Sequence, residues 1–260
     1  MLFMYNEKIF QELLQIEIAC FSTFAQSICY PWGSILFNTE LKERHDANHA
    51  EVVKPIDDYK QILETVTNFY REKDLVPRIN FYHPDINHPF KKALMKFGYK
   101  SFSDQDPRPV IFMIYNTELK ISVGEHIDLD VRYDANVSEE TKFGQDVSFV
   151  LKSEWEYQNI AKDPNYKYFV LYQNDKPVSV LSLFYHEETN RARIDDVFTL
   201  KEERQKGFSS YLLKHAIKDA VDKGFTPHLY VLEENAYKIY KSLGFRDYTS
   251  VTFSGWFLDN

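Results

Sequence analysis

A chain of 260 residues with 44% hydrophobic and 16% aromatic side chains can bury a sizeable core and is long enough for two domains. Its formal net charge of −8 argues against a generic nucleic-acid binder, and no apolar run reaches the length of a membrane span. Cys20 and Cys29 are too few for a disulfide framework or a cysteine metal site, and Met1 to Lys8 lacks the apolar core of a signal peptide, so a reducing cytoplasm is the expected compartment.

The N-terminal part opens on an amphipathic helix, about Glu7 to Ile28, with Ile9, Phe10, Leu13, Leu14, Ile16 and Phe21 at helical spacing. Pro31 to Phe37 then reads as a strand, and Asn38 to Ala50 as a polar stretch with Cys29 near a loop before it. A second helix starts at Pro55-Ile56-Asp57-Asp58 and runs to Lys73. A strand at Arg78 to Tyr82, a helix at Phe90 to Phe97 stopped by Gly98, and a strand at Val110 to Tyr115 come next. Asn116 to Glu125 is polar and turn-prone, the composition of a linker, and divides the chain into domains at 1–118 and 126–260.

The C-terminal part continues with a strand at Ile127 to Tyr133 and a helix at Ser138 to Trp155. Tyr168 to Tyr172 and Pro177 to Phe184 form a hairpin around Asn174-Asp175, a turn pair. A strand at Arg193 to Thr199 leads through a polar turn into Arg204-x-x-Gly207-x-Ser209 and a helix from Ser210 to Asp222. A strand at His228 to Leu232, a helix at Ala236 to Leu243 stopped by Gly244, and a strand at Tyr248 to Phe257 close the chain.

The segment from Asp195 to Ser210 carries the most chemistry. A strand feeding a small-residue loop at a helix start gathers unpaired backbone N–H groups, which bind phosphate together with the helix dipole. Gly207 lets the backbone approach a ligand, Ser209 leaves the helix entry uncrowded, and Arg204 and Lys206 add positive charge. A nucleotide or coenzyme pyrophosphate fits such a loop. The run Phe90 to Tyr99 also lines up with Ala236 to Phe245, each a lysine-bearing helix ending in Gly-aromatic; either two halves share a fold or the similarity is coincidental.

With these segments in view, about Ile127 to Phe257 resembles the GNAT superfamily of acyl-CoA-dependent N-acyltransferases. Arg204-Gln205-Lys206-Gly207-Phe208-Ser209 is similar to that family's Arg/Gln-x-x-Gly-x-Gly/Ala loop, with Ser209 in the last small position. Ala236, Tyr240, Gly244 and Phe245 match its Ala-x-x-x-Tyr-x-x-x-Gly-Phe segment, while Glu233 stands where an Asn is common. The resemblance implies an α/β (α+β) fold: a C-terminal mixed central sheet flanked by helices, and a smaller N-terminal αβ domain that is either a degenerate copy of the same fold, without coenzyme, or an accessory domain.

It also implies transfer of an acetyl group from acetyl-CoA to a small-molecule or protein amine, by direct attack in a ternary complex. Nucleic acid and membrane are not expected partners, and oligomeric state stays open. The main chain of Val197, Phe198 and Thr199 would hold the pantetheine arm and acetyl carbonyl, with Val197 N–H facing the developing oxyanion. Amides from Gln205, Lys206, Gly207, Phe208, Ser209 and Ser210 would hold the pyrophosphate beside Arg204. Tyr240 would protonate the leaving thiolate; the alternative is a packing aromatic.

Asp195 is the candidate base, since alternation puts it with Val197 and Thr199 while Asp196 faces the other side; a structural ion pair is the alternative for either. Where several family members carry a catalytic Glu, this chain has Arg193. No metal site is expected: His45-x-x-x-His49 lacks a third ligand, and His45, His49, His83 and His88 read as surface or cleft residues. The run Trp32 to His49 could instead line an acceptor pocket. The rival functions are a coenzyme-sensing or protein-binding module without turnover, and transfer of an aminoacyl group from transfer RNA.

Overall fold

The computed structural model describes residues 6–54, 58–83, 85, 88–102, 108–124, 128–133 and 163–259. It divides into two units, Met1–Ile111 with Tyr248–Asn260, and Phe112–Asp247. In the first, Asn6 caps α1 (Glu7–Phe21) by accepting the Ile9 N–H at 3.2 Å, and Phe10, Leu13, Leu14 and Ile16 are buried. The helix stops well before Ile28. Ser22 and Thr23 donate their hydroxyls to the carbonyls of Ile18 and Cys20 at 2.7 and 2.8 Å, competing with the next turn. The chain then enters a strand, β1 (Gln26–Tyr30), so Cys29 is an exposed strand residue, and continues into β2 (Gly33–Phe37).

Part of the stretch read as polar loop is a buried strand, β3 (His49–Val52). Asp58 caps α2 (Tyr59–Glu72), and β4 (Arg78–His83), α3 (Pro89–Phe97) and β5 (Lys100–Ser101) complete the order. Pro55 to Asp57 lie outside the described residues. Two later strands, β6 (Arg108–Tyr115) and β12 (Phe245–Phe257), each straddle the division between units. Within the first unit the sheet order is β1-β2-β3-β4-β12, with β5 also on β12; only the β3–β4 pair is parallel. Alternation along β4 sends Ile79 and Phe81 into a core with Ile62, Val66 and Tyr70 of α2 and Phe90 and Leu94 of α3. Tyr82, on the other face, meets Phe10 of α1 at 6.2 Å between ring centroids.

The second unit contains β7 (Leu129–Tyr133), β8 (Tyr166–Gln173), β9 (Lys176–His186), β10 (Arg191–Thr199), α4 (Phe208–Asp222), β11 (Thr226–Val231) and α5 (Glu234–Ser242). Its sheet order is β6-β11-β10-β9-β8-β7, antiparallel from β7 to β10 and parallel between β10 and β11. Asn174 and Asp175 adopt φ of 49° and 59°, the left-handed pair of a two-residue hairpin turn. Leu212, Leu213, Ala216, Ile217 and Ala220 bury one face of α4 against the sheet. The helix expected at Ser138 to Trp155 lies outside the described residues.

Each unit runs through the same sequence of pairings. Two antiparallel contacts (β1-β2-β3, β8-β9-β10) are followed by a helix (α2, α4), a parallel strand (β4, β11) and a short helix (α3, α5). The short helices end at Gly98 and Gly244, both left-handed, with φ of 102° and 104°. The fold of the second unit is thus repeated in the first. The strand beside β4, however, comes from the C-terminal end of the chain, and the strand beside β11 from residues preceding β7.

Candidate coenzyme and transfer site

The second unit parts its sheet where the sequence places chemistry. β10 pairs with β11 only at Arg191, Ala192 and Arg193, whereas its pairing with β9 continues to Thr199. Between Asp195, opposite Ser182, and Phe198, opposite Val180, β10 holds one extra residue. That bulge centres on Asp196, whose φ of 53° is left-handed. The Leu200 N–H to Val178 carbonyl bond of 3.1 Å marks which positions of β10 bond β9. Phe198 shares that phase, so Val197 turns its amide away from β9, toward the side where pairing with β11 has ended.

Beyond the strand, Gln205 (φ 66°) and Gly207 (φ 83°) are both left-handed and aim the loop into α4. Gly207 is the N-cap, and among the described residues the helix start has no side-chain cap bond. A Cβ at Gly207 would meet nothing within 4 Å, so the glycine serves backbone conformation and open space, not packing. A cavity of about 350 Å³ adjoins the helix start, lined by Gly207, Phe208, Ser210, Tyr211, Lys206 and Lys214, among others. Lys206 is shared with Glu203 at 2.6 Å, and Arg204 donates to the Thr199 carbonyl at 3.1 Å, bracing the loop against β10. Lys214 lies outside the motif and escapes motif reasoning. Its signal is helical spacing, seven residues beyond Gly207 and four beyond Ser210 on the same face.

Tyr240 of α5 is 8% exposed, and its ring edge meets Phe245 at 5.9 Å. Burial, and then the charge of Asp195, raise its pKa to about 12, so the structure brings these two candidates into electrostatic range. Asp195 is half-buried and accepts from the guanidinium of Arg193 at 2.6 Å; Arg193 itself is buried at 2% exposure. The bulge overturns the alternation argument for Asp196. Ser182, directly opposite Asp195 and on its face, donates to the Asp196 carboxylate at 3.0 Å, so the extra residue carries both aspartates to one side.

His228, register partner of Arg193, is 1% exposed, and neither ring nitrogen has a hydrogen-bond partner among the described residues. Burial, then the charges of Arg193, Arg191 and His186, hold its pKa well below 6.5. Unfolded, the imidazole binds a proton below 6.5; folded, it stays neutral, so stability falls as pH drops from 6.5 toward the folded value. His228→Leu is expected to flatten that acid limb in denaturant melts between pH 7 and 5; an unchanged limb would mean that other groups set it.

The matching position of the first unit carries a side-chain carboxylate of its own. Asp58 accepts the Gln61 N–H at 3.0 Å and so places a carboxylate on the N-terminus of α2. Of the histidines there, His49 is fully buried, contrary to the surface or cleft reading, while His45, His83 and His88 are half-buried. His49 contacts Glu51 through Nε2 and the His45 carbonyl through Nδ1, both at 2.9 Å, while His45 Nε2 meets Asn80 at 2.9 Å. Burial lowers the His49 pKa, but the Glu51 hydrogen bond and charge outweigh it and the net shift is upward. These ring nitrogens hold a buried hydrogen-bond network, and among the described residues no His/Cys/Asp/Glu group could hold a metal ion. Nor is any described helix long and apolar enough to cross a membrane.

A left-handed bulge thus lies beside a parted parallel pair, and the loop beyond it leads into a helix start whose N-cap makes no side-chain bond. Residues 133–245 match the model of the acetyltransferase (GNAT) family. Solved structures of similar fold include a functionally unknown conserved protein from Staphylococcus epidermidis ATCC 12228, 14% identical over 90% of this chain and 94% of that one, with a TM-score of 0.67. A GCN5-related N-acetyltransferase from Kribbella flavida is 13% identical over 94% of both chains, with a TM-score of 0.62. A tandem GNAT protein from the clavulanic acid biosynthesis pathway is 10% identical over 82% of this chain and 76% of that one, with a TM-score of 0.52. At such identities the likeness is one of fold. No curated protein matches the sequence significantly.

Proposed function

We propose that the protein is a cytoplasmic N-acetyltransferase that moves an acetyl group from acetyl-CoA to a primary amine by direct attack in a ternary complex. The observation that carries this is the asymmetry of the two helix starts. At α4 the amides are open, Gly207 leaves space, and Lys206 and Lys214 border the cavity; at α2, Asp58 fills the same place with negative charge. Pyrophosphate therefore binds the second unit, and the first is a copy that holds no coenzyme.

The chemistry then falls to few groups. The Val197 amide donates to the acetyl carbonyl oxygen as negative charge grows there, a contribution of about 2.7–4 kcal/mol in comparable oxyanion sites. Tyr240, protonated throughout the neutral range, gives its proton to the departing thiolate. Asp195 takes the amine proton, directly or through a water, while Arg193 keeps it anchored. Neither Cys20 nor Cys29 lies in the signature segments of the sequence, so no acetyl-cysteine step enters.

A second reading, coenzyme binding without turnover, draws on the ion pair that ties Asp195 to Arg193. Calorimetry with acetyl-CoA, beside thiol release with spermidine, an aminoglycoside and a lysine peptide, separates them. Binding with amine-dependent thiol release is the expected result. Binding with no release on any amine would favour the silent module, and no binding would remove both.

A further inference from the structure

β9 sends two buried serines to β10, one on each side of the bulge. Ser179, 0% exposed, donates to the Phe198 carbonyl at 2.7 Å and meets Thr199 Oγ1 at 2.8 Å. Ser182, 1% exposed, donates to Asp196 Oδ2 at 3.0 Å and accepts from the Tyr166 hydroxyl of β8 at 3.2 Å. With Tyr166 supplying the proton that Ser182 accepts, the Ser182 hydrogen is committed to Asp196, and the two bonds strengthen one another.

Asp196 is the one left-handed residue of β10, and a left-handed backbone costs a non-glycine residue about 1–2 kcal/mol. A buried, polarised hydroxyl on its carboxylate offsets that cost. The bond also decides where the next peptide points, because the turn at Asp196 sets the direction of the Val197 amide. We infer that Ser182, backed by Tyr166, is a positioning residue that locks Asp196 in its left-handed bulge and thereby aims the Val197 N–H at the acyl carbonyl. Its catalytic consequence rests on the acetyl-transfer reading; its geometric consequence does not.

Glycine takes the left-handed conformation without any side-chain anchor, so an Asp196→Gly background should make Ser182 dispensable. The test compares wild type, Ser182→Ala, Asp196→Gly, the double variant and Asp196→Asn, all as the full chain. Three quantities are read: the Kd of coenzyme A, kcat for thiol release with the best amine of the panel, and, without ligand, hydrogen exchange of the Leu200 amide, which bonds the Val178 carbonyl just past the bulge.

Ser182→Ala is expected to lower kcat about tenfold or more, as removal of an interaction made only in the transition state does. It should speed Leu200 exchange by a similar factor, as the unlocked bulge frees the adjoining β9–β10 pair, and leave the Kd of coenzyme A within about twofold. Asp196→Asn, which keeps an acceptor oxygen and tolerates the left-handed region, should retain most turnover. In the Asp196→Gly background the same serine deletion should change neither rate nor exchange. Equal losses in both backgrounds, or a Ser182→Ala protein with wild-type exchange, would overturn the lock. A wild type that binds coenzyme A but releases no thiol would sink the transfer reading instead, and the exchange arm would still decide the lock.

Discussion

Tyr240→Phe is expected to lower kcat about 10²-fold, the lower end for loss of a positioned general acid, with little change in the KM for acetyl-CoA. The substitution isolates the hydroxyl, because the phenylalanine ring still meets Phe245 and keeps the side chain that is 8% exposed in the wild type. Folding stability should therefore move by no more than about 1 kcal/mol, the net worth of one hydroxyl interaction. With a pKa near 12, the phenol stays protonated across any practical assay, so Tyr240 contributes no alkaline limb below pH ~10. Asp195 enters a second measurement. Its charge is the secondary cause of the raised phenol pKa, so Asp195→Asn should bring that pKa down in an ultraviolet difference titration and alter the acid limb of the rate profile. A Phe variant that turns over acetyl-CoA like wild type would leave Tyr240 a packing aromatic.

A physical division separates the features that the sequence disclosed from those it hid. Gly98, Gly207, Gly244 and the pair Asn174-Asp175 announce left-handed backbone by residue type, and each adopts it. Asp196 adopts it too, but an aspartate in a strand pattern says nothing of the kind by itself. Its conformation depends on Ser182 across the sheet, a partner that alternation along one strand does not reveal. β3 escapes notice for a related reason. His49 and Glu51 are polar, yet they bond to each other in the interior, so the polarity that reads as loop is a buried pair. The end of α1 is local but is written in hydroxyls, through Ser22 and Thr23, rather than in a glycine or proline. The neighbours β4-β12 and β6-β11 are wholly non-local: each pairs strands from distant parts of the chain, and no spacing rule encodes that.

Gly207→Ala should weaken coenzyme A binding by about 30-fold, the roughly 2 kcal/mol expected for losing a charge-assisted hydrogen bond in the cradle. The fold itself has room for the change. A Cβ at this position meets no atom within 4 Å, so the destabilisation comes from the left-handed backbone at φ 83° alone. That cost is about 1 kcal/mol, or a melting shift of roughly 2–4 °C for a protein of this size. Gly224, just past the C-terminal end of the same helix, supplies a matched control: its φ is 84°, and an added methyl there would likewise meet nothing within 4 Å. Gly224→Ala should therefore lose the same stability and bind coenzyme A like wild type. The comparison cancels backbone strain and leaves position as the only difference, the amino end of α4 with its open amides against the carboxyl end with the opposite dipole. Should both variants bind alike, the anion would have to sit elsewhere, and the open helix start would lose its claim to be the coenzyme cradle.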